Sequence, residues 1–300
     1  MGKRKKAFEE SLQLNQKTYD YWMRRLTELA VNTIEWTGLP DTIDTRYLEM
    51  ILCNKGLAVF FKDQELDQYL ALNVMISDKW NVYNIPTGRE AYAVNGYHNK
   101  LDISNSVIIF NNYLHTPTII DLEIYARKLY EVDRAIDVNI IGQKTPHIVK
   151  CSENQRLVLE NLFMNYQGNI PFIFGDKSMN FENLDTIDIT TPYVTDKLQI
   201  ARRQIFNDAL TYLGIENNSN EKAERMVTNE SLSNLGAIEA ARKTRLNARQ
   251  QACDLINKMF GLNVSVKYRV PLTTEIARTE IEMENPEKEV KENGTLYNGS

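Results

Sequence analysis

Only three cysteines and three histidines occur in this 300-residue chain, and none of the six stands at a spacing that a metal ion could use. Cys53, Cys151 and Cys253 are scattered and odd in number. That argues against a disulfide framework and reads as buried, reduced thiols in an intracellular setting. His98, His115 and His147 fall in different elements, so they mark no ligand set. Long hydrophobic runs are also missing, and no stretch nears bilayer-spanning length. The opening Met1-Gly-Lys-Arg-Lys-Lys-Ala lacks the apolar core of a secretory signal. The expectation is a soluble chain, cytosolic when made, with no membrane partner. Gly142-Gln-Lys-Thr145 has Lys-Thr without the preceding glycine spacing of a phosphate loop, and no dinucleotide fingerprint or nucleophile elbow occurs. Asp185 with Asp188, and Glu282 with Glu284, lack the partners of an acid/base pair. These absences argue against an enzyme, a cofactor and a metal.

What is there is ordinary in amount and unusual in placement. Apolar residues make up 43% and charged residues 25%, enough for a substantial core in one to three modules. The net charge of −5 argues against a tight DNA clamp, because nonspecific affinity comes mainly from phosphate neutralisation. The two ends differ in sign. Residues 3–25 carry seven basic against three acidic residues, net +4, led by Lys3, Arg4, Lys5 and Lys6. From Glu275 onward, seven glutamates face three basic residues, net −4, in what reads as a frayed acidic tail. A basic arm can hold phosphates without reading sequence, so one reading of the chain is a nucleic-acid-binding protein that uses this arm.

Periodicity divides the rest. Three-to-four spacing of Leu12, Tyr19, Trp22, Leu26 and Leu29 predicts a helix over about 11–36, stopped by Gly38 and Pro40. A short helix is expected at Thr45–Lys55, then strands at 57–61, 69–76, 91–94 and 107–110 with turns at Pro86-Thr-Gly88 and Asn95-Gly96. Thr118-Ile-Ile-Asp121 resembles a capping box opening a helix to about 141, with Leu122, Ala126, Leu129 and Ile136 along one stripe. A strand–helix–strand unit follows (147–151, 152–166, 170–174), then a strand at 185–189. The next helix, 193–213, presents a narrow seam of Leu198, Ala201, Ile205, Ala209 and Leu213, suited to packing between copies in a ring. Beyond it, the polar stretch 217–244 reads as a long loop into solvent, before a helix ending at Phe260-Gly261 and a strand at 262–269.

The segments Pro192-Tyr-Val-Thr-Asp-Lys-Leu198, Leu213-Gly-Ile215, Glu224-Arg-Met-Val-Thr228, Ala252-Cys253 and Gly261-Leu-Asn-Val264 closely resemble the portal protein of small podoviruses, the head–tail connector or upper collar. Upstream, Glu35-Trp36, Leu39-Pro40, Phe61-Lys-Asp63, Thr116-Pro-Thr118, Gln143-Lys-Thr-Pro146 and Asn165-Tyr-Gln-Gly168 continue the resemblance in the same order, over about nine-tenths of the chain.

The resemblance implies a mainly α fold with α+β modules: long stem helices, a small α/β clip and a strand-containing wing. It divides the chain into a basic N-terminal arm (1–14), wing (15–116), first stem helix (117–143), clip (144–191), second stem helix (192–215), channel loop (216–245), wing or crown helix and strand (246–273) and acidic disordered tail (274–300). It implies a homododecamer at one capsid vertex of the virion, through which double-stranded DNA enters at packaging and leaves at ejection. Its partners would be a packaging ATPase, a packaging RNA, the major capsid and scaffolding proteins, and the lower collar or tail protein. Lys197 and Lys222 occupy positions of channel lysines, and Arg225, Arg242 and Lys243 are the further basic residues of the channel segment. Ala223 stands where a close relative has a second lysine. Lys3, Arg4, Lys5 and Lys6 match the arm that contacts packaging RNA and motor.

Overall fold

A computed structural model describes residues 3–76, 79–143, 147–151, 172–176, 192–217 and 228–271. The chain divides into two compact units, one of Met1–Trp22 with Tyr125–Phe206 and the other of Met23–Ile124 with Asn207–Ser300. The elements in chain order are α1 (Lys3–Val31), β1 (Ile34–Thr37), α2 (Thr45–Lys55), β2 (Leu57–Asp63), β3 (Gln68–Ile76), β4 (Gly88–Tyr92), β5 (His98–Asp102) and β6 (Ser106–Phe110). They continue with α3 (Thr118–Gly142), β7 (His147–Cys151), β8 (Phe172–Asp176), α4 (Thr195–Leu213), α5 (Thr228–Phe260) and β9 (Ser265–Tyr268). None of the described helices is long and apolar enough to cross a membrane.

In the larger unit five antiparallel strands pair in the order β5-β4-β3-β2-β6. The two edge strands are consecutive in sequence, with only Ile103–Asn105 between them. Three linking residues reach about 14 Å at most. A flat five-stranded sheet would hold its edges roughly 19 Å apart. The sheet therefore curls until β5 and β6 nearly meet. Arg89 of β4 reaches across, its Nη1 donating to the Ser106 carbonyl at 2.6 Å.

Strand β2 shows why period two matters. Ala58 and Phe60 face a core shared with Leu48, Leu52, Ile109 and Ile256, while Val59 and Phe61 face a second cluster with Ala91 and Leu101. Both faces are covered, so Ala58–Phe61 is an unbroken apolar run. Helix α2 sits where expected because its ends are marked. Asp44 Oδ1 accepts from the Tyr47 amide at 3.0 Å, and Gly56 closes the helix in the left-handed region at φ 84°. A Cβ at Gly56 would also lie 2.8 Å from the His115 carbonyl oxygen, so glycine is required there twice over.

Two expectations at the N-terminal end need correction. Residues 3–14 are not a separate arm in backbone terms; they are the first turns of α1. The helix also stops earlier than expected, at Val31, and Trp36 belongs to β1, which pairs antiparallel with β9 in the register Trp36 to Val266. The β-branched Thr33, Ile34 and Thr37 favour extended backbone once a partner strand exists. Strand β5 was not anticipated either, its His-Asn-Lys-Leu-Asp sequence being almost wholly polar.

A buried polar knot ties this unit together. Arg249 of α5 and Glu49 of α2 are each 3% exposed. Arg249 Nε and Nη2 grip the two Glu49 oxygens at 2.9 and 2.8 Å. Its Nη1 donates to the carbonyls of Asn111 (2.6 Å) and Arg245 (3.2 Å), and Nη2 also reaches Asn111 Oδ1 at 3.1 Å. All five guanidinium protons are thus placed. Trp36 Nε1 adds a bond to Glu49 Oε1 at 2.8 Å. Burial by itself would lower the Arg249 pKa, but Glu49 more than offsets it and the group stays charged.

In the other unit β7 and β8 pair in parallel, His147 against Phe172 through Cys151 against Asp176. Parallel neighbours need a crossover of a dozen or more residues between them. The helix expected at 152–166 and the strand at 185–189 lie outside the described residues, as does the acidic tail.

The knot generates a stability prediction. Arg249→Met strands the Glu49 carboxylate in the core and should cost about 3–5 kcal/mol in urea unfolding. Pairing it with Glu49→Met should recover a large part of that loss, leaving about 1–3 kcal/mol for the unmatched Trp36 and Asn111 groups. A single variant within about 1 kcal/mol of the parent would show that the knot is not a keystone.

Candidate functional site

The basic residues expected to face DNA sit on or between α4 and α5, so the site begins with what positions those helices. Asn139 of α3, 5% exposed, splices the start of α4 to the end of α3. Its Nδ2 donates to the Pro192 carbonyl at 2.8 Å, while its Oδ1 accepts from the Val194 amide (3.2 Å) and the Thr195 hydroxyl (2.8 Å). An orphan amide at the helix start is satisfied in this way. Further along, Asp133 of α3 accepts from Arg202 of α4 at 3.1 Å and from Trp22 of α1 at 2.7 Å. Trp22 stacks at a tilt against Phe206, ring centroids 5.8 Å apart. Helices α3 and α4 therefore run antiparallel, tied by polar contacts at spaced positions. In the larger unit Tyr212 of α4 donates to Asp121 of α3.

Helix α5 overturns part of the long-loop expectation. It starts at Thr228, so much of the stretch expected to hang into solvent is helix. Ala, Leu, Glu and Arg dominate 235–246, all strong helix formers, and Glu239 pairs with Lys243 one turn on at 2.8 Å. Ile238 is fully buried. Arg242, Arg245 and Arg249 lie at three-and-four spacing on the same inward face, at 5%, 6% and 3% exposure.

Arg242 is the clearest correction. It was expected to face a channel, yet its guanidinium lies over the Tyr268 ring at 4.5 Å and its Nε donates to the Gly214 carbonyl at 2.7 Å. The cation is spent holding the end of α4 to α5 and β9. Arg245 lies over the Tyr212 ring at 4.7 Å. Burial pushes the Tyr212 phenol well up, partly countered by Arg245, and the bond to Asp121 adds to the rise. Burial likewise raises Tyr268 against the pull of all three arginines. Both phenols stay neutral and serve as platforms. Gly214 has φ 75°, and a Cβ there would sit 2.7 Å from Arg242 Cγ.

The other expected residues divide. Lys197, in the first turn of α4, is exposed and makes no ion pair among the described residues. Lys243 is exposed and held by Glu239. Lys222 and Arg225 lie outside the described residues. Lys3, Arg4, Lys5 and Lys6 are on the backbone of α1, and their side chains lie outside what is described. The expected seam of α4 is half consumed inside the chain: Ala209 and Leu213 are fully buried, while Leu198, Ala201 and Ile205 are only half-buried. The inward stripe of α3 is as expected, with Leu122, Ala126 and Leu129 fully buried. Sequence reasoning missed the opposite face of α3, where Ile120, Ile124, Val138 and Ile141 are 55%, 54%, 62% and 63% exposed. The available signal was the four-residue step from Ile120 to Ile124 and the three-residue step from Val138 to Ile141, one at each end of the helix. Among the described residues no cluster of three or more His, Cys, Asp or Glu could hold a metal.

Comparison with known proteins gives this arrangement its context. The sequence profile of the family described as Phage Connector (GP10) matches residues 4–273. Among solved structures, a chain from the portal and tail of native bacteriophage P68 is 18% identical, with a TM-score of 0.51 over 98% of each chain. An HK97-family phage portal protein from Corynebacterium diphtheriae is 11% identical, with a TM-score of 0.41 over 84% of this chain and 95% of that one. The P68 likeness extends to the fold, and the profile spans all but the two ends. The chain belongs to the phage connector family, the head–tail connector or portal proteins of tailed phages.

Proposed function

We propose that twelve copies of this connector close into a ring at one capsid vertex, and that double-stranded DNA passes through its bore during packaging and ejection. The observation that carries the ring is the outer face of α3. A subunit acting alone has no use for Ile120 and Ile124 exposed at the start of α3, nor for Val138 and Ile141 exposed at its end, whereas a second copy would bury either pair. Half-buried Leu198, Ala201 and Ile205 on α4 offer the complementary seam. Helices α3 and α4 serve as the stem, residues 144–191 as the clip, 15–116 as the wing, and the residues between α4 and α5 as the channel segment.

Lys197, Lys243, Lys222 and Arg225 are the DNA-facing cations of this reading. Few cations per copy suit a conduit. Each neutralised phosphate deepens binding and steepens its salt dependence, so a densely basic wall would hold the duplex in place. With a net charge of −5 per copy, the ring guides by shallow contacts and repels the rest of the backbone. Lys3, Arg4, Lys5 and Lys6 serve the packaging motor and its RNA, and the ATPase that does the work docks from outside. Capsid, scaffolding and lower collar proteins complete the partners of a virion component assembled in the host cytoplasm.

End-on electron micrographs test the ring. Ile124→Asp with Val138→Asp should lower the yield of annular particles at least ten-fold while the subunit keeps its melting temperature within a few degrees. Rings that form undiminished would remove α3 from the interface. Changing Lys3, Arg4, Lys5 and Lys6 to Ala should leave ring yield unaltered and reduce co-sedimentation with the motor. Undiminished co-sedimentation would refute the role given to these four residues.

A further inference from the structure

A groove of about 800 Å³ opens in the larger unit among the C-terminal half of α1, helix α2, the start of α3 and the end of β9. It belongs to none of the surfaces discussed so far. Its apolar walls come from Met23, Val31, Met50 and Ile119, all only half-buried. Its rim carries Arg24, Arg46 and Arg269 against one exposed carboxylate, Glu28. Glu49 also lines it, but both of its oxygens are taken by Arg249 and Trp36. Arg46 leans on Asp44 at 3.2 Å, whereas Arg24 and Arg269 have no carboxylate partner among the described residues. The site wants a ligand that is acidic and apolar at once, and extended enough to follow a cleft.

We propose that the groove is the docking site of this chain's own acidic C-terminal segment, with Glu280-Ile-Glu-Met-Glu284 as the part that enters it. Three observations converge on that occupant. The first is continuity: the described chain ends at Pro271, two residues beyond Arg269, which is itself part of the rim. Arg269 is fixed there by its amide to the Thr33 carbonyl at 2.9 Å and its Nε to the Asn32 carbonyl at 3.3 Å. The second is length. Ten residue-to-residue steps lead from Pro271 to Ile281, an extended reach of about 33 Å, whereas Met23–Val31 of α1 rises only about 12 Å.

The third is complementarity. Residues 272–300 carry seven glutamates against three basic side chains. Within Glu280–Glu284 the apolar Ile281 and Met283 alternate with the three glutamates, so an extended backbone sends the apolar pair to one side and the carboxylates to the other. The apolar pair matches the methionine- and valine-lined walls, and the carboxylates match Arg24 and Arg269 at the rim. A short tether holds the segment at an effective concentration in the millimolar range, so even weak complementarity keeps it seated.

Disulfide trapping in the full-length protein tests this. In a Cys151→Ser background, Thr27→Cys in the groove is combined with Met283→Cys, and Asn95→Cys with Met283→Cys is the control. Cys53 and Cys253 do not compete: both are buried, and burial pushes their thiols up to about 11 and about 12. Under mild diamide oxidation the 27–283 bond within one chain should form at least ten-fold faster than the 95–283 bond. Adding Arg24→Glu and Arg269→Glu should bring the rate down to the control, and adding Glu280→Lys, Glu282→Lys and Glu284→Lys on top should restore it. No excess over the control overturns the proposal. A 27–283 bond that joins two chains assigns the groove to a second copy and also overturns it. Only the intrachain bond is counted, so the result stands whether or not copies form a ring.

Discussion

The larger unit depends on one buried ion pair. Arg249 and Glu49 meet in a site from which water is excluded, where an unmatched charge would cost several kcal/mol. That cost fixes everything touching the pair: helix α5 through Arg249, helix α2 through Glu49, the β1–β9 ladder through Trp36, and the link from β6 to α3 through Asn111. Asn111 in turn donates to the Thr118 hydroxyl at 2.8 Å, where α3 begins. Segments separated by up to 200 residues in sequence are thus held by a single guanidinium with no proton left over. The apolar clusters on either side of β2 supply most of the driving force. The ion pair supplies the register.

The same logic repeats along α5. Arg242, Arg245 and Arg249 recur every three or four residues and all point inward, each taken up by an aromatic face, a carbonyl or a carboxylate. By residue type alone such a stripe looks like a solvated face or a channel lining. Its helical spacing was visible in the sequence; the phenols that receive it, Tyr212 and Tyr268, lie tens of residues away on either side and were not. Much else could be read directly. The helix at Thr45–Lys55, the strand beginning at Leu57 and the Leu122–Leu129 stripe on the buried side of α3 all stood in the sequence pattern. The failures share a cause. Strand β1 is four residues long and exists because β9 lies alongside, more than 200 residues further on. Helix α5 begins well before its apolar stripe becomes dense, because alanines and an i,i+4 ion pair sustain it. Long-range partners and local propensity outran the hydrophobic pattern.

Membership of the connector family recasts what a functional site means for this chain. Among the described residues, its expected basic side chains line no common pocket within either unit. Lys197 is exposed on α4 and Lys243 is exposed on α5, and the described part of the molecule offers no metal cluster. A translocation channel needs no convergence within one subunit, since symmetry supplies the repetition that a pocket obtains from folding. In the proposed ring, each copy contributes a stem of two antiparallel helices whose polar ties, Asn139 to Thr195 and Asp133 to Arg202, fix their relative position, leaving apolar side chains outward for the neighbour.

Native mass spectrometry of the purified full-length protein, titrated through concentration and ionic strength, addresses the central claim most directly. Twelve copies of a 34.7 kDa chain give a species of about 416 kDa, which should dominate and persist on dilution. A lone 34.7 kDa species at every concentration and salt would contradict the account, because the exposed face of α3 would then have no partner in another copy.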